Sequence, residues 1–363
     1  MSDWTSRERL LALLAGEIPD RMGLFEHFWP ETLNTEWTAQ GLPAGTDPVI
    51  HFNYDMRIVG GWFESQPFPS QSEVVEETDE WQVVRDGRGA KLKYWKGKSG
   101  TPEHIGFEVD SPEVWARYRE PLLAFDPARL GDLTGIAAAL ENTRAEGRAA
   151  LYGNLFVFEL LRGTLGDVNF LPALLEEPDW IDDFCTVYLN MYRRYYEHMF
   201  QTAGKPDAMF VYEDLGYSNG LFCSPATLAA RIMPYERELV GFFHDHGIPV
   251  ILHSCGDVRQ AVPLIIEAGF DCIQPLEAKA GCDVVQMAQQ YAGQICFMGN
   301  INVVQLETND KQAVEDEVLG KVRWLRDHRV PYILHSDHSI PPRIRLDTYT
   351  YALQLFSENN RYA

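Results

Sequence analysis

No apolar run in this chain approaches the roughly 20 residues that a bilayer-crossing helix needs, so the sequence predicts no membrane span. Positive charge is scarce as well. Lys and Arg number 31 against 53 Asp and Glu, a formal net charge of −22. Without a basic patch the chain has little with which to neutralise phosphates, and this argues against a nucleic-acid partner. A small anionic substrate stays open, because a local field can oppose the net charge. The six cysteines, Cys185, Cys223, Cys255, Cys272, Cys282 and Cys296, show no disulfide-scaffold spacing, and no leader-like stretch is read ahead of them. Together these predict a reducing, cytoplasmic setting. No G-x-G-x-x-G follows any candidate strand, which leaves a dinucleotide fold without support.

What the chain does have is regularity. Its 363 residues are 45% apolar, enough to bury a large core. Length alone allows two domains or one α/β barrel with insertions. Residues 3–16 read as an amphipathic helix that Thr5 or Ser6 caps and Gly16 stops. A short strand follows at 22–25. From about residue 145, apolar β-branched runs alternate with amphipathic segments. Candidate strands lie at 149–153, 208–212, 249–253, 271–275, 295–299 and 331–335, with candidate helices at 180–202, 225–246 and 311–328. With the strand at 22–25 that makes at least seven, at spacings suited to βα units. The pattern predicts an α/β fold, a (β/α)8 TIM-type barrel occupying residues 1–363 as a single domain. An open doubly wound sheet is the alternative. Residues 72–109 differ in texture: Asp86-Gly87 is a hairpin turn signal between largely alternating flanks, and predicts an antiparallel β-hairpin insertion.

In such a barrel the chemistry collects at the C-terminal ends of the strands. Reading only those ends gives Glu26 and His27, Asn154, Glu213 and Asp214, His253 and Cys255, Gln274 and Glu277, Asn300 and Asn302, and His335, Asp337 and His338. A purely structural protein does not require a polar residue at the end of nearly every apolar run, although Asn154 or Asp214 alone can simply cap the next helix. The sharpest pair is His253 and Cys255. They end the run Pro249-Val250-Ile251-Leu252 two residues apart, and strand alternation points them to the same side. A soft thiolate beside an imidazole suits Zn²⁺; the plain alternative is a core cysteine beside a hydrogen-bonded histidine. His338 is the candidate third ligand, and Glu213 a candidate oxygen ligand or proton partner. Glu213, Asp214 and His335 are candidate catalytic groups, with His335 and Asp337 as an orienting pair. Glu26, His27, Asn154, Tyr217, Gln274 and Asn300 are candidate substrate contacts. Phe25, Phe28, Trp29, Phe156, Phe158 and Tyr217 are candidates for an apolar wall, although aromatics at such spacings are ordinary in cores. Cys272 and Cys296 read as strand interior.

Taken together, Tyr152-Gly153-Asn154, Tyr212-Glu213-Asp214-Leu215-Gly216 with Ser224-Pro225, Leu252-His253-Ser254-Cys255-Gly256, Gly299-Asn300-Ile301 and His338-Ser339-Ile340-Pro341-Pro342 make the chain resemble the uroporphyrinogen decarboxylase superfamily. The resemblance spans nearly the whole chain, is clearest over about 145–345, and implies a distorted (β/α)8 barrel. Two branches bear on function. The porphyrinogen decarboxylases hold a polycarboxylate with an N-terminal arginine-rich segment beside a catalytic aspartate. Here residues 22–30 read Met-Gly-Leu-Phe-Glu-His-Phe-Trp-Pro and offer no arginine to an anionic substrate. The cobalamin-dependent methyltransferases carry a His-x-Cys…Cys zinc site. His253 and Cys255 match it, and His338 departs from it by standing in place of the second cysteine. The insertion at 72–109 also looks more like that branch. The resemblance thus implies a Zn²⁺-assisted methyltransferase or demethylase, acting on a small methyl donor or acceptor and exchanging the methyl group with a corrinoid on a separate protein. Histidine at 338 makes the ligand set harder and leaves an oxygen-linked donor such as a methyl ether open. A decarboxylase and a binding barrel without chemistry are the other readings. The resemblance is compatible with a homodimer.

Overall fold

A computed structural model describes residues 4–97 and 100–362. Its strands in chain order are β1 (Gly23–Leu24), β2 (Met56–Gly60), β3 (Glu73–Glu77), β4 (Trp81–Arg85), β5 (Ala90–Trp95), β6 (Glu103–Phe107), β7 (Ala149–Leu155), β8 (Ala208–Tyr212), β9 (Gly216–Tyr217), β10 (Gly220–Leu221), β11 (Val250–Ser254), β12 (Cys272–Pro275), β13 (Cys296–Met298) and β14 (Tyr332–Leu334). Eight of them form one parallel sheet in the order β1-β14-β13-β12-β11-β8-β7-β2, curled in the manner of a TIM-type fold. Its outer strands, β1 and β2, share no ladder. They are linked where the Asp55 N–H donates to Leu24 O at 2.9 Å and the Leu24 N–H donates to the Asp55 carboxylate at 2.8 Å.

All seven strands expected from the sequence are present, each within two residues of its expected limits. The eighth, β2, carries Arg57 in its interior, and the charge masks the apolar run. The guanidinium leaves the sheet to meet Asp47 at 2.6 Å. Asp55, just before it, is fully buried and gripped by Arg21 at 2.7 Å and Arg9 at 3.3 Å. The first helix runs Ser6–Leu14 behind a reciprocal cap between Thr5 and Glu8. The segment expected as one helix over 225–246 is two, Pro225–Arg231 and Met233–Asp245, because Pro234 in the first turn of the second has no N–H to continue the ladder of the first. The insertion is larger than a hairpin: Asp86 and Gly87 turn β4 into β5, and β3 and β6 flank them in a four-stranded antiparallel sheet. Among the described residues no helix is long and apolar enough to cross a membrane.

Strand alternation divides the core in two. Phe25, Leu151, Phe210, Ile251, Cys272, Met298 and Ile333 belong to one cluster, inside the curl. Tyr152, Val211, Leu252, Ile273 and Phe297 point the other way, into the layer under the helices. Cys272 and Cys296 lie in the inner cluster as core cysteines.

Candidate active site

The inner apolar layer fixes what lies above it. Two residues beyond Phe25, Phe210, Ile251, Cys272 and Ile333 come His27, Tyr212, His253, Gln274 and His335. Parity places all five on the inner side at the C-terminal mouth. Their contacts bear this out. The Tyr212 and His253 rings lie 5.1 Å apart, and the His27 and His335 rings also lie 5.1 Å apart. Two residues further along, Asp214 and Cys255 form the next layer. Asp214, His253 and Cys255 each offer a ligand atom, and these atoms lie within 4.8 Å of one another. His253 Nε2 is 3.4 Å from Cys255 Sγ and 3.5 Å from Asp214 Oδ1, while the Cys255 N–H donates to Asp214 Oδ1 at 2.8 Å.

Gln274 sets the tautomer of His253. Its side-chain oxygen can only accept, so His253 Nδ1, 2.5 Å away, carries the hydrogen. The Nε2 lone pair is thereby free on the side of Cys255 and Asp214. The Gln274 amide nitrogen lies 3.3 Å from His335 Nε2. His335 Nδ1 donates to Ser336 O at 2.6 Å, leaving its Nε2 as an acceptor for His27 Nδ1 at 2.9 Å. The Tyr212 hydroxyl completes the chain, 3.4 Å from His27 Nε2. Burial drives both histidines toward the neutral form, His335 down to about 3. Burial also pushes Glu26 up to about 8, against hydrogen bonds from the Ser336 hydroxyl and the His27 and Ser336 N–H groups. The Cys255 thiol is raised by burial and then by the Asp214 and Glu277 carboxylates.

Other residues selected from the sequence face elsewhere. Asn154, Glu213 and Asn300 serve the loops and the helix layer. Asn154 Nδ2 donates to Gly61 O at 3.1 Å. Glu213 accepts the N–H groups of Phe156 and Phe158 at 2.5 and 2.7 Å, at the start of the helix Val157–Leu165. Asn300 donates to Leu276 O and Cys282 O and accepts from the Val284 N–H. Asp337 pins two loops through the N–H groups of Val303 and Ala278 rather than orienting His335. His338 is not in the ligand group: its ring stacks on Trp29 with centroids 5.9 Å apart. Asp214, rather than His338, stands with His253 and Cys255. Tyr217 is half-exposed and leans on Phe222. Tyr212 and Trp62 were not singled out from the sequence. Tyr212 was reachable by counting two on from Phe210. Trp62 lies beyond β2, the strand that Arg57 hides, and no local signal marks it.

A parallel-sheet α/β protein with thiol, imidazole and carboxylate gathered at the strand C-termini is the class that fold and site define. The chain belongs to the uroporphyrinogen decarboxylase (URO-D) family, whose model matches residues 108–358. Among solved structures, a methyltransferase from Methanosarcina mazei superposes with a TM-score of 0.62 at 13% identity, covering 98% of this chain and 99% of that one. At that identity the likeness is one of fold. Dispersin B superposes at a TM-score of 0.41 and 10% identity, covering 94% of this chain and 99% of its own. No curated protein matches the sequence.

Proposed function

We propose that the protein is a metal-assisted methyltransferase or demethylase on a closed (β/α)8 barrel. In this reading it moves a methyl group between a small substrate and a corrinoid carried by a separate protein. The observation that carries the reading is the convergence of Asp214, His253 and Cys255. One thiolate, one imidazole with its lone pair turned inward and one carboxylate suit Zn²⁺, and three protein ligands leave a coordination position open to substrate. When bound, Zn²⁺ supplies Lewis acidity toward the heteroatom that bears the methyl group, or toward an acceptor thiol. The chain's own residues do the rest. Gln274 orients His253. His27 and His335, held neutral by burial, add no positive charge to the mouth. The Tyr212 hydroxyl, whose ring lies against His253, is the protic group we assign to the leaving oxygen. A carboxylate in place of a second thiolate makes the ligand set harder and favours an oxygen-linked methyl donor. The fold-level likeness to a methyltransferase supports the same reading.

The family description favours decarboxylation as the second reading. The inward layer of His27, Tyr212, His253, Gln274 and His335 speaks against it, because it holds no arginine or lysine for a polycarboxylate. The test mixes zinc-loaded protein with reduced cobalamin and a panel of methyl ethers, methylamines and methyl thioethers. Zinc-dependent appearance of the methylcobalamin spectrum, lost in Cys255→Ser, is the expected result. Carbon dioxide release from a carboxylated substrate without any methyl transfer would move the assignment to the decarboxylases.

A further inference from the structure

Glu236, on the helix Met233–Asp245, is 1% exposed, and neither of its carboxyl oxygens has a donor among the described residues. An unpaired buried carboxyl is costly. What faces it is the carboxyl group of Glu213, itself fully buried just past the end of β8. Carboxylate oxygens only accept, so this contact becomes a hydrogen bond when one of the two groups carries a proton. Glu213 already accepts the N–H groups of Phe156 and Phe158 at 2.5 and 2.7 Å, and the shared proton is drawn to Glu236, which has no other donor. Two N–H groups that follow β7 and one O–H from the helix layer then meet at the Glu213 carboxyl and stop it from turning.

Part of this is a helix cap. The helix Val157–Leu165 receives no side-chain cap from Phe156 before it, and Glu213 supplies one from the neighbouring strand end. A cap needs one carboxylate, however, as Asp283 and Asp310 show at the helices they precede. A second buried carboxyl behind the first adds nothing to a cap. It adds rigidity to Glu213, and the next residue is Asp214. The ladder of β8 on β11 ends at Tyr212 and His253, with one further bond from the Glu213 N–H to His253 O at 2.9 Å. Asp214 lies beyond it and is aimed by its neighbours. On one side Glu213 is clamped; on the other the Leu215 N–H donates to Ser254 Oγ at 3.0 Å. Successive side chains leave the chain on opposite sides. With Glu213 held toward the helix layer, Asp214 faces the mouth, where Oδ1 accepts the Cys255 N–H at 2.8 Å and lies 3.5 Å from His253 Nε2.

We infer that Glu213, with Glu236 behind it, is the positioning residue that holds Asp214 toward His253 and Cys255. This rests on the reading of those three as a metal site. The experiment is cobalt(II) titration, followed by thiolate-to-cobalt absorption, of wild type, Glu213→Gln, Asp214→Ala and the double variant. An amide at 213 turns a donor toward one of the two N–H groups and releases the clamp. The expected result is cobalt binding about 10- to 100-fold weaker in Glu213→Gln than in wild type. In the double variant it should stay within about twofold of Asp214→Ala, because nothing is left to position. A residue that only supports the fold weakens binding equally in both backgrounds, or in neither, and either result would overturn the inference. Glu236 gives a second arm, which serves even where Glu213→Gln does not fold. Glu236→Gln keeps a donor for Glu213 and should bind cobalt within about twofold of wild type, whereas Glu236→Leu should bind about three- to tenfold more weakly. Equal binding by those two variants would also overturn it. Wild type that binds no cobalt fails the metal-site reading itself, whereas wild-type binding that Glu213→Gln leaves unchanged fails the positioning role alone.

Discussion

Gln274 contacts the two halves of the mouth at once, the Nδ1 of His253 through its oxygen and the Nε2 of His335 through its nitrogen. It thereby decides which nitrogen of His253 is free. Gln274→Leu removes that control, and competition with a chelator should show zinc held about 10- to 100-fold more weakly. Gln274→Glu, which still accepts from Nδ1, should retain it. The pair His253 and Cys255 was legible because a spacing of two on a strand needs no tertiary information. The grouping of Asp214 with them was not: the sequence offers Asp214 as a catalytic group or a helix cap, and analogy with a second cysteine points to His338 as the third ligand. Seeing the grouping needs the register that sets Tyr212 beside His253 across β8 and β11, and a single sequence does not carry cross-strand register.

At the scale of elements, apolar runs and turn glycines gave away seven of the eight parallel strands, and the one with a charge inside it stayed hidden. The polar residues at the strand ends were all visible, but their direction was not. Those that line the mouth are in step with the inner core layer; Asn154 and Glu213, out of step, pin loops and helix starts, and Asn300 and Asp337, in step with Met298 and Ile333 but past the strand ends, pin them too. Asn300 is one of the pins. Asn300→Ala leaves two buried carbonyls and one N–H without partners, and denaturant unfolding should show a loss of about 1–3 kcal/mol with zinc affinity unchanged. Gly61 is a different case, since its backbone conformation carries Trp62. Gly61→Ala meets both a left-handed φ and the Tyr152 side chain, and the same measurement should show at least about 1–3 kcal/mol lost.

At the scale of the whole molecule, one property follows from a pair of fully buried carboxyl groups and another from the half-buried groups at the mouth. Glu236 and Glu213 meet between the helix Met233–Asp245 and the end of β8. Burial raises both, Glu213 well above the usual carboxyl range despite its two N–H bonds, and Glu236, whose oxygens find no donor among the described residues, up to about 8, so Glu236 keeps a proton at neutral pH. Below the usual 4.5 both native and unfolded states hold that proton, and above 8 neither does. Between those limits only the native state holds it, so stability falls as pH rises, by as much as about 1.4 kcal/mol per pH unit. Glu236→Gln, a permanently neutral isostere, should make that part of the pH–stability curve less steep, while Glu26 and Glu213, also raised by burial, keep the rest of the slope. The second property is the proposed metal centre, on which the functional account depends. The decisive measurement is zinc content by elemental analysis of protein purified without chelator, for wild type, Asp214→Ala, Cys255→Ser and His338→Ala. The account predicts near-stoichiometric zinc in wild type and in His338→Ala, and its loss in Asp214→Ala and Cys255→Ser. Wild type without zinc, or zinc that survives both of those substitutions, would contradict it.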